Sequence, residues 1–85
     1  MQFEYDPHKS RSNQDKHGID FDAAQQLWED ANAVEFKVAY EDEPRYAVIG
    51  KIREKHWTAI ITYRNKKVRI ISVRRAREKE VAAYE

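Results

Sequence analysis

Hydrophobic residues change their spacing once along this chain, at Asn32. Before it, Phe21, Ala24, Leu27, Trp28 and Ala31 recur at three- and four-residue intervals, which gathers them on one face of a helix. Asp20 stands where a cap is needed, so a core-facing helix is predicted from Phe21 to Ala31. After it, Val34, Phe36 and Val38 alternate with Glu35, Lys37 and Ala39, the period of a strand, and Glu41-Asp42-Glu43-Pro44 breaks the run. Strands are predicted from Arg45 to Ile52, from Trp57 to Arg64 and from Lys67 to Arg74, separated by turns at Arg53-Glu54-Lys55 and Asn65-Lys66. Three antiparallel strands in succession form a meander.

The ends of the chain follow different rules. Phe3-Glu4-Tyr5 alternates briefly and reads as an edge strand, and Asp6-Pro7 then supplies an N-cap and a first helical residue. From Pro7 to His17 there is no aliphatic side chain. A helix that is polar all round gains little from packing, so it depends on its cap, its proline and what it touches. Gly18 ends it. After Arg75, residues 76–84 are mostly good helix formers and predict a short closing helix. The fold class expected is α+β, one domain over residues 1–85. It comprises a small antiparallel sheet, a three-stranded meander plus N-terminal strands, with two N-terminal helices on one face and a short C-terminal helix.

A two-residue turn at Asn65-Lys66 sets Arg64 opposite Lys67, Thr62 opposite Arg69, Ile60 opposite Ile71 and Thr58 opposite Val73. One face then carries Arg64, Thr62, Lys67, Arg69 and Arg75. The other carries Trp57, Ala59, Ile61, Tyr63, Val68, Ile70, Ser72 and Arg74, and is the natural floor for the Phe21 to Ala31 helix.

Composition sharpens this picture. The 85 residues include 16 Lys plus Arg against 15 Asp plus Glu, a net charge of +1, and no cysteine. A disulfide framework and a thiolate metal site are excluded, and no apolar run approaches the length of a spanning helix. A cytoplasmic protein is expected. Cut at Pro44, the balance separates into 4 basic and 11 acidic residues before the cut and 12 basic and 4 acidic after it. A basic half of this kind points to a polyanion such as nucleic acid, and the acidic residues of 20–43 are expected to lie away from it. Between Arg64 and Lys79, eight cations are opposed only by Glu78, and five of the eight are arginines, whose planar forks suit phosphate. Tyr63 and Trp57 lie close enough to stack bases. There is no glycine-rich phosphate loop, HExxH or nucleophile elbow, and His8, His17 and His56 are far apart, so neither metal nor cofactor is expected. Asp20 and Asp22 read as helix-start charges.

Several segments carry a resemblance. Phe3-Glu4-Tyr5-Asp6-Pro7, Lys9-Ser10, Asn13, Lys16-His17-Gly18-Ile19, Phe21, Ala24, Asp30, Glu43-Pro44-Arg45-Tyr46, Ile49-Gly50, Thr62-Tyr63-Arg64, Arg69-Ile70-Ile71-Ser72, Arg74-Arg75-Ala76, Glu80 and Tyr84 resemble the BrnT family of toxins of type II toxin–antitoxin systems. The resemblance runs from end to end. It departs from the family at Val73, where a small residue is common, and in the variable Arg53-Glu54-Lys55-His56 turn. It implies a RelE-like fold and a ribonuclease that blocks translation. It also implies a BrnA-type antitoxin that occupies the toxin's site and contacts DNA on behalf of the complex, a heterotetramer of two toxins and two antitoxins.

Metal-free RNA cleavage makes the substrate's own 2′-hydroxyl the nucleophile, so the protein must align it, stabilise charge on the phosphoryl oxygens and move protons. Arg64, Arg75 and Arg74 are the candidates for charge stabilisation, with Arg74 reaching the same face only if the strand end bulges. His17 is the candidate for proton transfer and equally suits the end of a helix dipole, while Lys16 is placed to hold a phosphate. Lys9 and Arg11 would make the polar helix one wall of an RNA groove, and Lys67, Arg69 and Tyr63 would extend RNA binding along the hairpin. Glu54 and Tyr84 are weaker candidates for base and acid. The competing readings are a non-catalytic nucleic-acid-binding module that uses the same basic hairpin and an assembly subunit whose charges serve protein contacts.

Overall fold

A computed structural model of the chain describes residues 1–38 and 42–85. Its elements are β1 (Phe3–Glu4), α1 (Pro7–His17), a 3₁₀ segment (Ala23–Glu29), β2 (Val34–Val38), β3 (Arg45–Ile52), β4 (Lys55–Arg64), β5 (Lys67–Arg75) and α2 (Glu78–Tyr84). The strands make one five-stranded sheet in the order β1-β5-β4-β3-β2. The β2 to β5 pairings are antiparallel, and β1 joins β5 in parallel, with Phe3 opposite Val68. The sheet is therefore mixed, larger than the predicted meander, and contains the expected N-terminal edge strand. The predicted Ala39 and Glu41 positions lie outside the described residues.

The helix predicted from Phe21 to Ala31 is a 3₁₀ segment ending at Glu29. Its cause lies in the spacing. Phe21, Ala24 and Leu27, exposed by no more than 1%, repeat every three residues, the period at which a 3₁₀ turn stacks side chains on one edge. Asp22 takes the N-cap position without a side-chain cap bond, while Asp20, the expected cap, lies two residues earlier and accepts from the Ala23 N–H through its Oδ1 at 2.8 Å. Ala31 falls beyond the end and is exposed. This segment packs on β3, and Gly50 permits the approach: a Cβ there would meet Leu27 Cδ2 at 3.1 Å. The core joins Phe21, Leu27, Val48, Trp57, Ala59, Ile61, Val68, Ile70 and Val73.

Helix α1 does not lie on the sheet face beside that segment; it docks against the edge of β5 beyond the reach of β1. Asn13 does the docking. Its Nδ2 donates to the Val73 and Ile19 carbonyls, both at 2.8 Å, and its Oδ1 accepts from the Val73 N–H at 3.1 Å. One side chain thus replaces the neighbouring strand that Val73 lacks, and leaves no buried backbone group unpaired there. Ser10 Oγ accepts from the Phe21 N–H at 2.9 Å. The Asp6 cap, Pro7 and a left-handed Gly18 with φ 79° bound the helix as its sequence predicts.

The two central turns differ. Asn65 and Lys66 both have positive φ, 53° and 64°, the type I′ pattern whose twist matches a hairpin. That sets Arg64 opposite Lys67 and Thr62 opposite Arg69, as predicted. The register then shifts: Ile61 faces Ile70 but Ile60 faces Ser72, so Ile71 is an extra residue in a β-bulge. An extra residue reverses the alternation beyond it. Thr58 pairs with Arg74 and Trp57 with Arg75, which puts Arg74 on the Thr62 and Arg64 face and Arg75 on the Trp57 face, opposite to the unbulged reading.

Candidate functional site

The bulge and the polar helix together build a groove. Lys9, Ser12, Asn13, Lys16 and His17 line one side, Ile71 and Ser72 the other, and Phe21 the floor, around a cavity of about 300 Å³. Lys9, Ser12 and Lys16 recur at helical spacing and face the cavity, while Ser10 and Asn13 turn inward to hold the helix down. A helix with no apolar stripe is therefore divided between an anchoring side and a groove side. Among the described residues, Lys9, Ser12, Lys16, His17 and Ser72 have no side-chain hydrogen bond or ion pair within the chain. Arg11 lies elsewhere, its guanidinium 3.1 Å from His8 Nδ1.

The other predicted site residues, Lys67 excepted, are engaged within the chain. Arg64 pairs with Glu43 at 3.6 Å and Arg69 with Glu4 at 3.0 Å. Arg75 lies over the Trp57 ring, 5.5 Å from its centroid. Arg74 makes a two-pronged pair with Glu80, at 2.7 and 2.8 Å, and this pairing raises the guanidinium pKa further. Glu80 also accepts from Thr58 Oγ1 and from the Arg77 N–H, and its carboxyl is held down at about 2, chiefly by Arg74. Tyr63 OH donates to Glu35 at 2.8 Å, and burial first, then that carboxylate, pushes its pKa up to about 12. Lys67 is half-buried across from Arg64.

Arg64, Arg74 and Arg75 are thus not gathered with Lys16 and His17 in one cavity, and Arg64 does not share a face with Arg75. Glu35 and Glu43, expected to lie away from the basic hairpin, are bonded to it. Tyr84 is anchored: its OH donates to Asp30 Oδ2 at 2.7 Å and its ring meets His56 edge-on, centroids 5.1 Å apart. Burial pushes the Asp30 carboxyl up, but bonds from Tyr84, Asn32 and Lys51 outweigh it and leave its pKa lowered. Ser12, Ile71 and Ser72 are groove residues that sequence reasoning missed. Ser72 sits inside a quoted motif, but the unbulged pairing turned it toward the helix face. The doubled Ile70-Ile71 was the one visible break in alternation.

A family model described as "Ribonuclease toxin, BrnT, of type II toxin-antitoxin system" matches residues 5–80. The chain belongs to the BrnT family. It is accordingly a ribonuclease toxin whose partner is an antitoxin protein. No curated protein matches it. The stretch shared with BrnT includes both walls of the groove, Lys9 to His17 and Ile71-Ser72, and the Arg74–Glu80 pair. Among the described residues, no three His, Cys, Asp or Glu side chains converge as metal ligands, and no helix is long and apolar enough to cross a membrane.

Proposed function

We propose that this BrnT toxin is a metal-independent endoribonuclease whose reacting phosphate sits in the groove between α1 and the β5 bulge. The observation that carries the proposal is convergence: Lys9, Lys16 and His17 line one groove with no side-chain hydrogen bond or ion pair among the described residues, whereas Arg64, Arg69 and Arg74 are held by carboxylates. Two ammonium groups draw the scissile phosphate in and offset the charge that builds on its oxygens as phosphorus becomes five-coordinate. An imidazole, which titrates near neutrality in its unperturbed state, suits proton transfer. His17 takes the 2′-hydroxyl proton as that oxygen bonds to phosphorus; the bond to the 5′-oxygen breaks, and that oxygen takes a proton from water. The products are a 2′,3′-cyclic phosphate and a 5′-hydroxyl end. Ser12 and Ser72 supply hydroxyl donors to the same phosphate. Arg64, Lys67 and Arg69 extend the cationic track along one face of the hairpin, exchanging Glu43 and Glu4 for RNA phosphates, and Tyr63 stands at the hairpin's end on the other face.

A BrnA-type antitoxin neutralises the toxin by covering this groove, in a complex of two toxins and two antitoxins in the cytoplasm that reaches DNA through the antitoxin. Purified toxin incubated with RNA in excess EDTA tests the reading. Fragments with cyclic phosphate ends are expected, and His17→Ala should slow cleavage by about 10²-fold or more. Mobility shifts without fragments from the parent chain would make it a binding module. An unchanged rate in a folded Lys16→Ala, His17→Ala double variant would remove the groove from the chemistry.

A further inference from the structure

The chain turns at Gly18, and on the far side of that turn lies a second concavity of about 470 Å³. His17 lines the groove and Gly18 lines this concavity, so only one peptide link separates the two. Gly18 has open space where a Cβ would stand. Ile19, Ala23, Ile52 and Trp57 make apolar walls, and Gln26, Arg53, Glu54 and Lys55 stand around them, two cations against one carboxylate. The Gln26 side chain is exposed and has no partner among the described residues. Arg53 adopts φ 59° at the first position of the two-residue turn that joins β3 to β4, and so projects from the tip of that hairpin. The indole of Trp57 is only 7% exposed and is steadied by Arg75.

We infer that this concavity is a nucleobase subsite, taking the base next to the phosphate bound in the groove; the inference rests on the ribonuclease reading above. A base is a flat apolar ring with donors and acceptors on its edge. The walls match that chemistry: an indole and aliphatic carbons for the ring, a carboxamide carrying both donor and acceptor for the edge, and two cations for the flanking phosphate. The volume falls in the usual range for sites of small ligands. Selection of the cleaved sequence would then reside on the opposite side of the α1 terminus from the chemistry.

Trp28→Phe leaves Trp57 as the sole indole, so its emission reports the concavity directly. Uncharged ribonucleosides should change that emission saturably, at least one of the four more strongly than the others, and inorganic phosphate should not. Ala23→Leu, which fills the cavity, should weaken that binding by about tenfold and alter which base flanks the cut. Gln26→Ala, at an exposed position, should change the ranking of the nucleosides by about fivefold, the effect of one lost neutral hydrogen bond. If no nucleoside moves the emission, and both variants cleave RNA with the parent's base preference, the subsite is overturned while the ribonuclease reading stands. Nucleoside binding by a parent chain that cuts no RNA would overturn the ribonuclease reading and retain the subsite. If the variants weaken antitoxin binding alone, the concavity is a protein-docking site and the inference fails.

Discussion

Glu80 accepts four hydrogen bonds on its two oxygens, from Thr58, from the Arg77 N–H and twice from Arg74. It is the residue that fastens α2 to the sheet face opposite the core. Its carboxyl pKa falls from 4.5 to about 2, so the folded state favours the ionised form. A lowered carboxyl pKa contributes stability that is complete above pH 4.5 and disappears as pH falls from 4.5 toward 2. Glu80→Gln should therefore cost about 1–3 kcal/mol in urea unfolding at pH 7. The gap between variant and parent should close across that acid window. In the sequence, Glu80 was only a helix former and a motif position, because nothing local ties it to Thr58, 22 residues away. Arg74 and Arg75 teach the same lesson. Adjacent and chemically identical, they stand on opposite faces by strand alternation, and the residue inserted at Ile71 decides which face each takes.

At the scale of elements, strands were more legible than helices. Alternation located β2 to β5 to within two residues, and Asn65-Lys66 set the start of the last hairpin's register. The turn is right in type but strained in detail, because Lys66 holds φ 64° without being glycine. Lys66→Gly should stabilise the hairpin by about 1 kcal/mol and raise Tm by a few degrees, measured by thermal unfolding. What alternation could not reveal is the bulge: an extra residue costs the pattern one apolar doublet, and Ile70-Ile71 reads equally as a fully buried stretch. The 3₁₀ segment was hidden for a related reason, since apolar residues at intervals of three belong to both helical periods. Helix α1 was correctly bounded by its caps, yet its position depends on Asn13, whose partner Val73 lies 60 residues away.

Across the whole molecule, the division of charge at Pro44 proves to be interleaved. Glu4 reaches Arg69 and Glu43 reaches Arg64, so acids of the first half sit on cations of the second. Among the described residues, Lys9 and Lys16 of the nominally acidic half make no ion pair and line one groove, a placement that a count by halves conceals. RNA affinity should fall with salt, and Lys9→Ala and Lys16→Ala should each lower the slope of log K against log salt by about 0.7 if each meets one phosphate of a single strand. Filter binding between low and moderate salt measures this. The pairing of Phe3 with Val68 and the clasp of Asn13 on Val73 have a further consequence, which concerns time. Both contacts wait for Val68 and Val73, so a polypeptide still emerging from the ribosome has the residues of α1 but no second wall to set against them. Synthesis itself thus delays the groove until after Ile71 and Ser72 have appeared, and the toxin's site cannot exist before they do.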